Sequence, residues 1–276
     1  MIDPAAVPPE ELKRILNQQE RSAQMLVRRD IELARANEQL RTLGEQKSRF
    51  ISVAAHQLRT PLSAVRWSLG YLLSGRTGSF TEEQETLLRQ SLDSTVRLVT
   101  LVNDLLGVDR LETGRVQYAF GPVDLHEVVQ SVLLDVEPIA AKREVSIEFV
   151  NELTKDAMAC ADVQQVRLVV QNLVENATKY TPSGGKVTIR LAHAGEFLQT
   201  AVTDTGIGIP EDQQADIFKQ FFRARNAVKL VTDGSGLGLY LAQETVERMG
   251  GVLTFSSKEY HGSTFTFTLP QYRTAV

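Results

Sequence analysis

The sequence predicts a multidomain α+β protein: an N-terminal coiled-coil helix, a helical hairpin that pairs with a second copy into a four-helix bundle, and an α/β sandwich. Three observations predict it. Residues 10–49 contain no proline and one glycine, Gly44, with leucines seven apart. Two segments with apolar residues at helical spacing follow, separated by a glycine-containing break. From about residue 119, alternating β-branched runs take turns with helical periods. The expected boundaries are 1–45, 46–114 and 115–276.

In the first segment Leu26, Leu33 and Leu40 recur every seven residues, and Leu12 keeps that register while Gln19 interrupts it. The half-register between them is mixed, with Ile15, Ser22, Arg29 and Ala36 before Leu43 and Phe50. This fits a marginal parallel coiled coil, with a solvated amphipathic helix as the alternative. In the hairpin, Ile51, Ala54, Leu58, Leu62, Val65, Leu69 and Leu72 form one stripe at about 100° per residue. His56, Thr60, Ser63, Trp67 and Ser74 fall opposite. After the break at 75–80, Thr81 and Gln84 read as a capping box. Leu88, Leu92, Val96, Val99, Val102 and Leu106 then turn inward on a second helix ending near Gly114. One stripe per helix cannot close a core alone, but two copies can.

In the third segment strands are expected at Val145–Val150, Lys186–Leu191, Leu198–Thr203, Val252–Ser256 and Thr264–Leu269. Helices are expected at 124–142, 162–179 and 236–249. The stretch 205–235 carries Gly206, Gly208, Pro210 and Gly234 with little regular pattern, which marks a functional loop.

Composition narrows the function classes. The 276 residues are 42% hydrophobic and 23% charged with a net charge of −4, which argues against a nucleic-acid footprint. The single cysteine, Cys160, excludes an internal disulfide and a cysteine-based zinc site, and points to a reducing compartment. No run approaches the roughly 18 apolar residues of a membrane span, and Met1-Ile2-Asp3-Pro4 lacks the features of a signal peptide. A cytoplasmic protein is expected.

The chemistry concentrates in short motifs. His56-Gln57-Leu-Arg-Thr60-Pro61-Leu puts an imidazole on the wet face of a helix, where a neutral ring nitrogen can act as a nucleophile. That phrase resembles the phosphoacceptor box of two-component sensor histidine kinases. Asn172-Leu-Val-Glu-Asn176-Ala-Thr-Lys179-Tyr180 resembles that family's N box, and Asp204-Thr-Gly206-Ile-Gly208-Ile-Pro its first glycine box. Ile217-Phe-Lys-Gln-Phe-Phe-Arg223 resembles its F box, and Gly234-Ser235-Gly236-Leu237-Gly238-Leu its second glycine box. Five motifs in the family's order do not arise by chance.

Each motif also makes physical sense. Asn172 and Asn176 lie four apart on one helix face, where amide oxygens suit Mg²⁺. Lys179 can reach a phosphate, and Tyr180 offers a face to a base. Asp204 ends a strand, and the resemblance assigns it the adenine amino group. Gly206 and Gly208 let backbone approach a nucleotide, and Gly234–Gly238 open a helix whose N–H groups favour phosphate. Phe218, Phe221 and Phe222 read as packing.

The resemblance implies ATP and Mg²⁺ as cofactors, a homodimer, and autophosphorylation of His56 followed by transfer to an aspartate of a response regulator. Thr60, one turn from His56, would orient a water for dephosphorylation of that regulator; the signal would come from an upstream sensor partner through the coil, or from a longer protein of which this chain is a part. The chain departs from the family at Gln57, where an acidic residue is usual. Gyrase-type and chaperone-type ATPases share the nucleotide fold but place a glutamate four residues before the second asparagine. Here that position is Asn172, and Glu175 is expected to point elsewhere, which favours a kinase. Trp67, about 20° from His56 on a helical wheel, is expected on a partner-docking face.

Overall fold

A computed structural model describes residues 9–114, 116–154, 157–231 and 234–272. The chain divides into two compact units after Val53, within its first helix. That helix, α1 (Pro9–Leu73), continues through Pro61. In the unit up to Val53, Met25, Leu26, Val27, Ile31, Leu33 and Leu43 are exposed. The side chains of Leu12, Ile15, Gln19, Ser22 and Leu40, on which the heptad reading also rests, lie outside the described residues.

The second unit begins with the rest of α1 and with α2 (Glu82–Glu112). The capping box at the start of α2 forms as expected: Gln84 N–H donates to Thr81 Oγ1 at 3.3 Å, and Thr81 N–H to Gln84 Oε1 at 3.0 Å. Such a box satisfies two of the four orphan donors at a helix start. Ala55, Val102 and Leu106 are buried together, with Leu62 packed against them. Ala55 is not on the expected stripe. Leu58 and Val65, which are, remain 52% and 47% exposed, and Val96 is 42% exposed. A single hairpin therefore covers only one flank of its apolar surface.

An α/β layer follows. Its helices are α3 (Leu125–Lys142), α4 (Val163–Tyr180), α5 (Arg225–Leu230) and α6 (Gly238–Arg248). Its strands are β1 (Gly121–Val123), β2 (Ser146–Asn151), β3 (Ala159–Ala161), β4 (Lys186–Ala194), β5 (Phe197–Asp204), β6 (Leu253–Ser257) and β7 (Ser263–Pro270). The main sheet runs β2-β4-β5-β7-β6, parallel between β2 and β4 and antiparallel elsewhere. β1 and β3 make a separate antiparallel pair.

Alternation along the strands explains the layering. Val187, Ile189 and Leu191 of β4, Leu198 and Val202 of β5, and Phe267 and Leu269 of β7 are all buried. They meet Val129, Val132, Val166, Val170, Leu173 and Val246 from α3, α4 and α6 in one core. Arg190, Thr203 and their like on the other face stay wet, as an antiparallel sheet with one covered face allows. Two aspartates start the long helices. Asp124 accepts from the backbone of His126, and Asp162 accepts from Gln164 and Gln165 while its other oxygen takes Ala119 N–H at 2.8 Å. This last bond ties the lead-in segment to α4.

Candidate active site

The stretch 205–235 is more structured than expected. It holds a 3₁₀ helix at Glu211–Asp216 and the short α5. With the C-terminal half of α4 and the ends of β5 and β7, it encloses a cavity of about 260 Å³. Ligand pockets commonly measure roughly 300–1,000 Å³, so this one is narrow. Asn172, Asn176, Lys179 and Tyr180 of α4 form one wall, with Asp204, Gly208, Gly234, Ser235, Gly236 and Gly238 around it. With Phe222 and Arg223 of the F box also in the lining, four sequence motifs far apart in the chain converge.

Asp204 is 7% exposed. Its Oδ1 accepts N–H groups from Gly206 at 2.8 Å and Ser263 at 3.3 Å. Burial pushes its carboxyl above the usual aspartate range, and those two backbone donors pull it part of the way back. Lys179 Nζ lies 5.4 Å from the Tyr180 ring centroid, a cation–π distance. The lysine also faces the second glycine loop: a Cβ at Gly234 would stand 3.0 Å from Lys179 Nζ and 3.5 Å from the Arg223 guanidinium. Lys179 and Arg223 line the cavity, so its cationic end lies beside Gly234.

The glycines are needed for reasons other than a bound nucleotide. A Cβ at Gly206 would meet Tyr180 O at 2.5 Å, and one at Gly208 (φ +59) would meet Lys258 O at 2.0 Å. Both close approaches are to the protein's own backbone. Asn226 Nδ2 donates to Gly208 O at 2.9 Å, which ties α5 to the same loop. Gly236 (φ +70) sits against the backbone of Phe221 and Phe222, so the second glycine loop rests on the F-box segment.

The Leu237 side chain is buried with Val108, Leu111 and Leu241, and neither Leu237 nor Gly206 is among the residues lining the cavity. Two expectations are corrected. Glu175 does not point elsewhere: it lines the cavity and accepts a bond from Gln171 Nε2 at 2.7 Å. The α4 helix presents it beside Asn172 and Asn176, since it lies three and one residues from them. Phe218 and Phe222 pack partly against the core, but Phe221 is 60% exposed with φ +62. A tight turn, rather than burial, governs that position.

Residues without a motif also line the cavity. Thr100 and Asp104 of α2 and Asn226 of α5 are among them. Nothing in the local pattern of α2 distinguishes Asp104 from a solvated helix residue. Arg223 ends the F-box phrase, in which the sequence assigns a role only to the phenylalanines; it too lines the cavity.

The candidate nucleophile lies apart from these walls. His56, Gln57 and Thr60 are exposed on α1. Thr60 Oγ1 reaches back to His56 O at only 3.5 Å, a weak bond that leaves the hydroxyl open to solvent. Arg59 Nη2 donates to Asn103 Oδ1 at 2.7 Å and links the His56 turn to α2. Trp67 is 70% exposed and stacks on Tyr71, with centroids 5.4 Å apart.

Two family models match the chain. "His Kinase A (phospho-acceptor) domain" covers residues 46–114, and "Histidine kinase-, DNA gyrase B-, and HSP90-like ATPase" covers residues 161–273. The chain therefore carries a sensor histidine kinase catalytic core, a phosphoacceptor-type hairpin followed by an ATP-binding-type domain. It is 32% identical to the circadian input-output histidine kinase CikA of Synechococcus elongatus over 82% of this chain and 30% of that protein. It is 32% identical to the sensor histidine kinase WalK of Bacillus subtilis over 83% of this chain and 37% of that protein. To the aerobic respiration control sensor protein ArcB of Escherichia coli it is 34% identical, over 87% of this chain and 31% of that one. The chain therefore spans about a third of the length of these relatives. Among solved structures, full-length ShkA in complex with AMPPNP aligns with a TM-score of 0.66 and 28% identity, over 82% of this chain and 46% of that chain. Among the described residues no helix is long and apolar enough to cross a membrane.

Proposed function

We propose that this chain uses ATP to phosphorylate itself on His56 and passes the phosphoryl group to an aspartate of a response regulator. One observation carries this reading. A cavity lined by Asn172, Asn176, Lys179, Asp204 and the second glycine loop shares a compact unit with an exposed histidine in a phosphoacceptor motif.

In this reading Asp204 accepts a hydrogen bond from the adenine amino group through the oxygen that the loop backbone leaves open. Lys179 and Arg223 draw the phosphates to the Gly234 end of the cavity. A ring nitrogen of His56 attacks the γ-phosphorus, an N–P bond forms, the bond to the ADP oxygen breaks, and the imidazole loses a proton. Catalysis is mostly positioning and charge neutralisation. Gln57 orients the ring by accepting its N–H but cannot take the proton at neutral pH. In the second step an aspartate oxygen of the regulator displaces the imidazole from phosphorus.

Asn172 and Asn176 fit Mg²⁺ as neutral oxygen ligands on one helix face, with the nucleotide's phosphates completing the shell. Asn172 Oδ1 would stand 3.1 Å from a Cβ at Gly238, so this oxygen faces the start of α6. The ion would neutralise phosphate charge. Leu58, Val65, Val96, Leu98 and Leu101 leave an exposed apolar flank on the hairpin, which supports pairing with a second copy. The exposed leucines before Val53 support a coiled coil that carries a signal from an upstream sensor partner. A cytoplasmic setting, where ATP is available, belongs to the same reading. The domain limits 1–45, 46–114 and 115–276 belong to it too.

The open Thr60 hydroxyl favours a second activity, dephosphorylation of the regulator with Thr60 orienting the water. The test of the main reading is incubation with γ-labelled ATP and Mg²⁺. The protein should become labelled, Asn176→Ala should not, and the label should leave on addition of a cognate receiver domain. Equal labelling of Asn176→Ala would refute the assignment of the cavity.

A further inference from the structure

The cavity has a wall that the nucleotide motifs do not supply. Thr100 and Asp104 stand one turn apart on α2, in the hairpin, yet both line the cavity. Ser235, in the middle of the second glycine loop, donates from Oγ to Asp104 Oδ2 at 2.7 Å, while the same hydroxyl oxygen accepts Leu237 N–H at 3.2 Å. The loop is thus fastened to α2 at the point where α6 starts. Apolar contacts reinforce the fastening. Val108 and Leu111 of α2 are buried with Leu237 and Leu241, and a Cβ at Gly107 would touch Leu241 at 3.4 Å. Arg248 donates to Leu111 O, and Gln220 Nε2 to Glu112 Oε1 at 2.8 Å.

Charge makes the fastening informative. The cations that line the cavity, Lys179 and Arg223, both face Gly234, the neighbour of Ser235. An anionic ligand is drawn to that end. Asp104 brings a carboxylate to the same end, and Glu175 lines the cavity as well. Burial pushes the Asp104 carboxyl up, the Ser235 hydroxyl pulls it down, and the neighbouring Glu175 carboxylate pushes it up again. A second anion placed there meets like charge.

Resting on the reading of the cavity as a nucleotide site, we propose that Asp104 is an internal competitor of the nucleotide's phosphates. Its carboxylate holds Ser235 and narrows the phosphate end of the cavity from the α2 side. An arriving nucleoside triphosphate displaces it, which releases Ser235 from α2 and leaves the loop held there by Leu237 alone. Occupancy of the site and release of Ser235 are then one coupled equilibrium, so nucleotide binding itself loosens the loop that must carry a phosphoryl group toward α1. Adenosine, which has the base but no phosphate, does not meet Asp104.

Calorimetric titration of the full chain and of Asp104→Asn and Asp104→Ala, with Mg·ATP and separately with adenosine, tests this. Asp104→Ala should bind ATP about ten-fold more tightly, within the usual range of coupling between sites, with adenosine affinity within about two-fold of wild type. Asp104→Asn keeps an acceptor for Ser235 but loses the charge, and should fall between. Unchanged or weaker ATP binding in both variants overturns the proposal, as does an equal gain for adenosine. Wild-type protein that binds neither ligand would instead overturn the nucleotide-site reading, and this proposal with it.

Discussion

Asp204 Oδ1 accepts the backbone N–H of Gly206 at 2.8 Å, so the residue proposed to read adenine also shapes the turn beside it. Burial raises the Asp204 carboxyl above its ordinary value of 3.8. The folded state therefore holds its proton more tightly than the unfolded state, and stability falls as pH rises from 3.8 through the raised value. Asp204→Asn keeps an oxygen acceptor for Gly206 and Ser263 and removes the buried charge. Without ligand it should melt at a higher temperature than wild type at neutral pH, with the gap closing as pH falls toward 4. Its ATP affinity should drop by about ten-fold or more, the worth of a hydrogen bond to a charged group. A lower melting point at neutral pH would contradict this account of Asp204.

Gly208 cannot carry a side chain. At φ +59 a Cβ would stand 2.0 Å from Lys258 O, a backbone atom that cannot move without disturbing the turn between β6 and β7. Gly208→Ala should lower stability by more than about 2 kcal/mol, combining left-handed strain with the clash. Urea denaturation measures it, and a wild-type midpoint would be inconsistent with this packing.

Gln57 is exposed beside His56, and in the proposed mechanism it orients the ring while water takes the proton. Gln57→Glu at saturating ATP should then autophosphorylate within about three-fold of the wild-type rate. A rise of about a hundred-fold, the lower end of general-base assistance, would show that a base is missing.

Trp67 is the only tryptophan in the chain and is 70% exposed in the single chain. Its emission should be red-shifted, accessible to quenchers, and altered by a cognate regulator. A blue, protected spectrum in the free protein would place it inside a helical interface instead.

Five strands and three long helices were legible because alternation and helical period both report one buried face, and this sheet has one. The capping box at Thr81 was legible because its two partners are local. The pair β1 and β3 was not: three residues each are too short for a period, and their pairing spans about forty residues of chain. In the site, Asn172, Asn176, Lys179 and Asp204 were legible as motif members. Asp104 was not, because its role depends on where α2 lies against α6, and no local pattern in α2 encodes that. The packing of Leu237 was not legible either: its motif position points to a backbone contact, and nothing local shows that its side chain fills an apolar cluster. Glu175 was misjudged because residues adjacent on a helix, although about 100° apart, can line the same cavity.

The central claim is that His56 is the acceptor and that the cavity binds the donor. The direct measurement is labelling with γ-labelled ATP and Mg²⁺ on wild type and His56→Ala, followed by acid and base treatment, with ATP affinity measured on both. Wild type should carry a label that survives base and is lost in acid, whereas His56→Ala should carry none and bind ATP within about two-fold of wild type, because His56 is not among the residues lining the cavity. Base-stable, acid-labile label on His56→Ala would contradict the account.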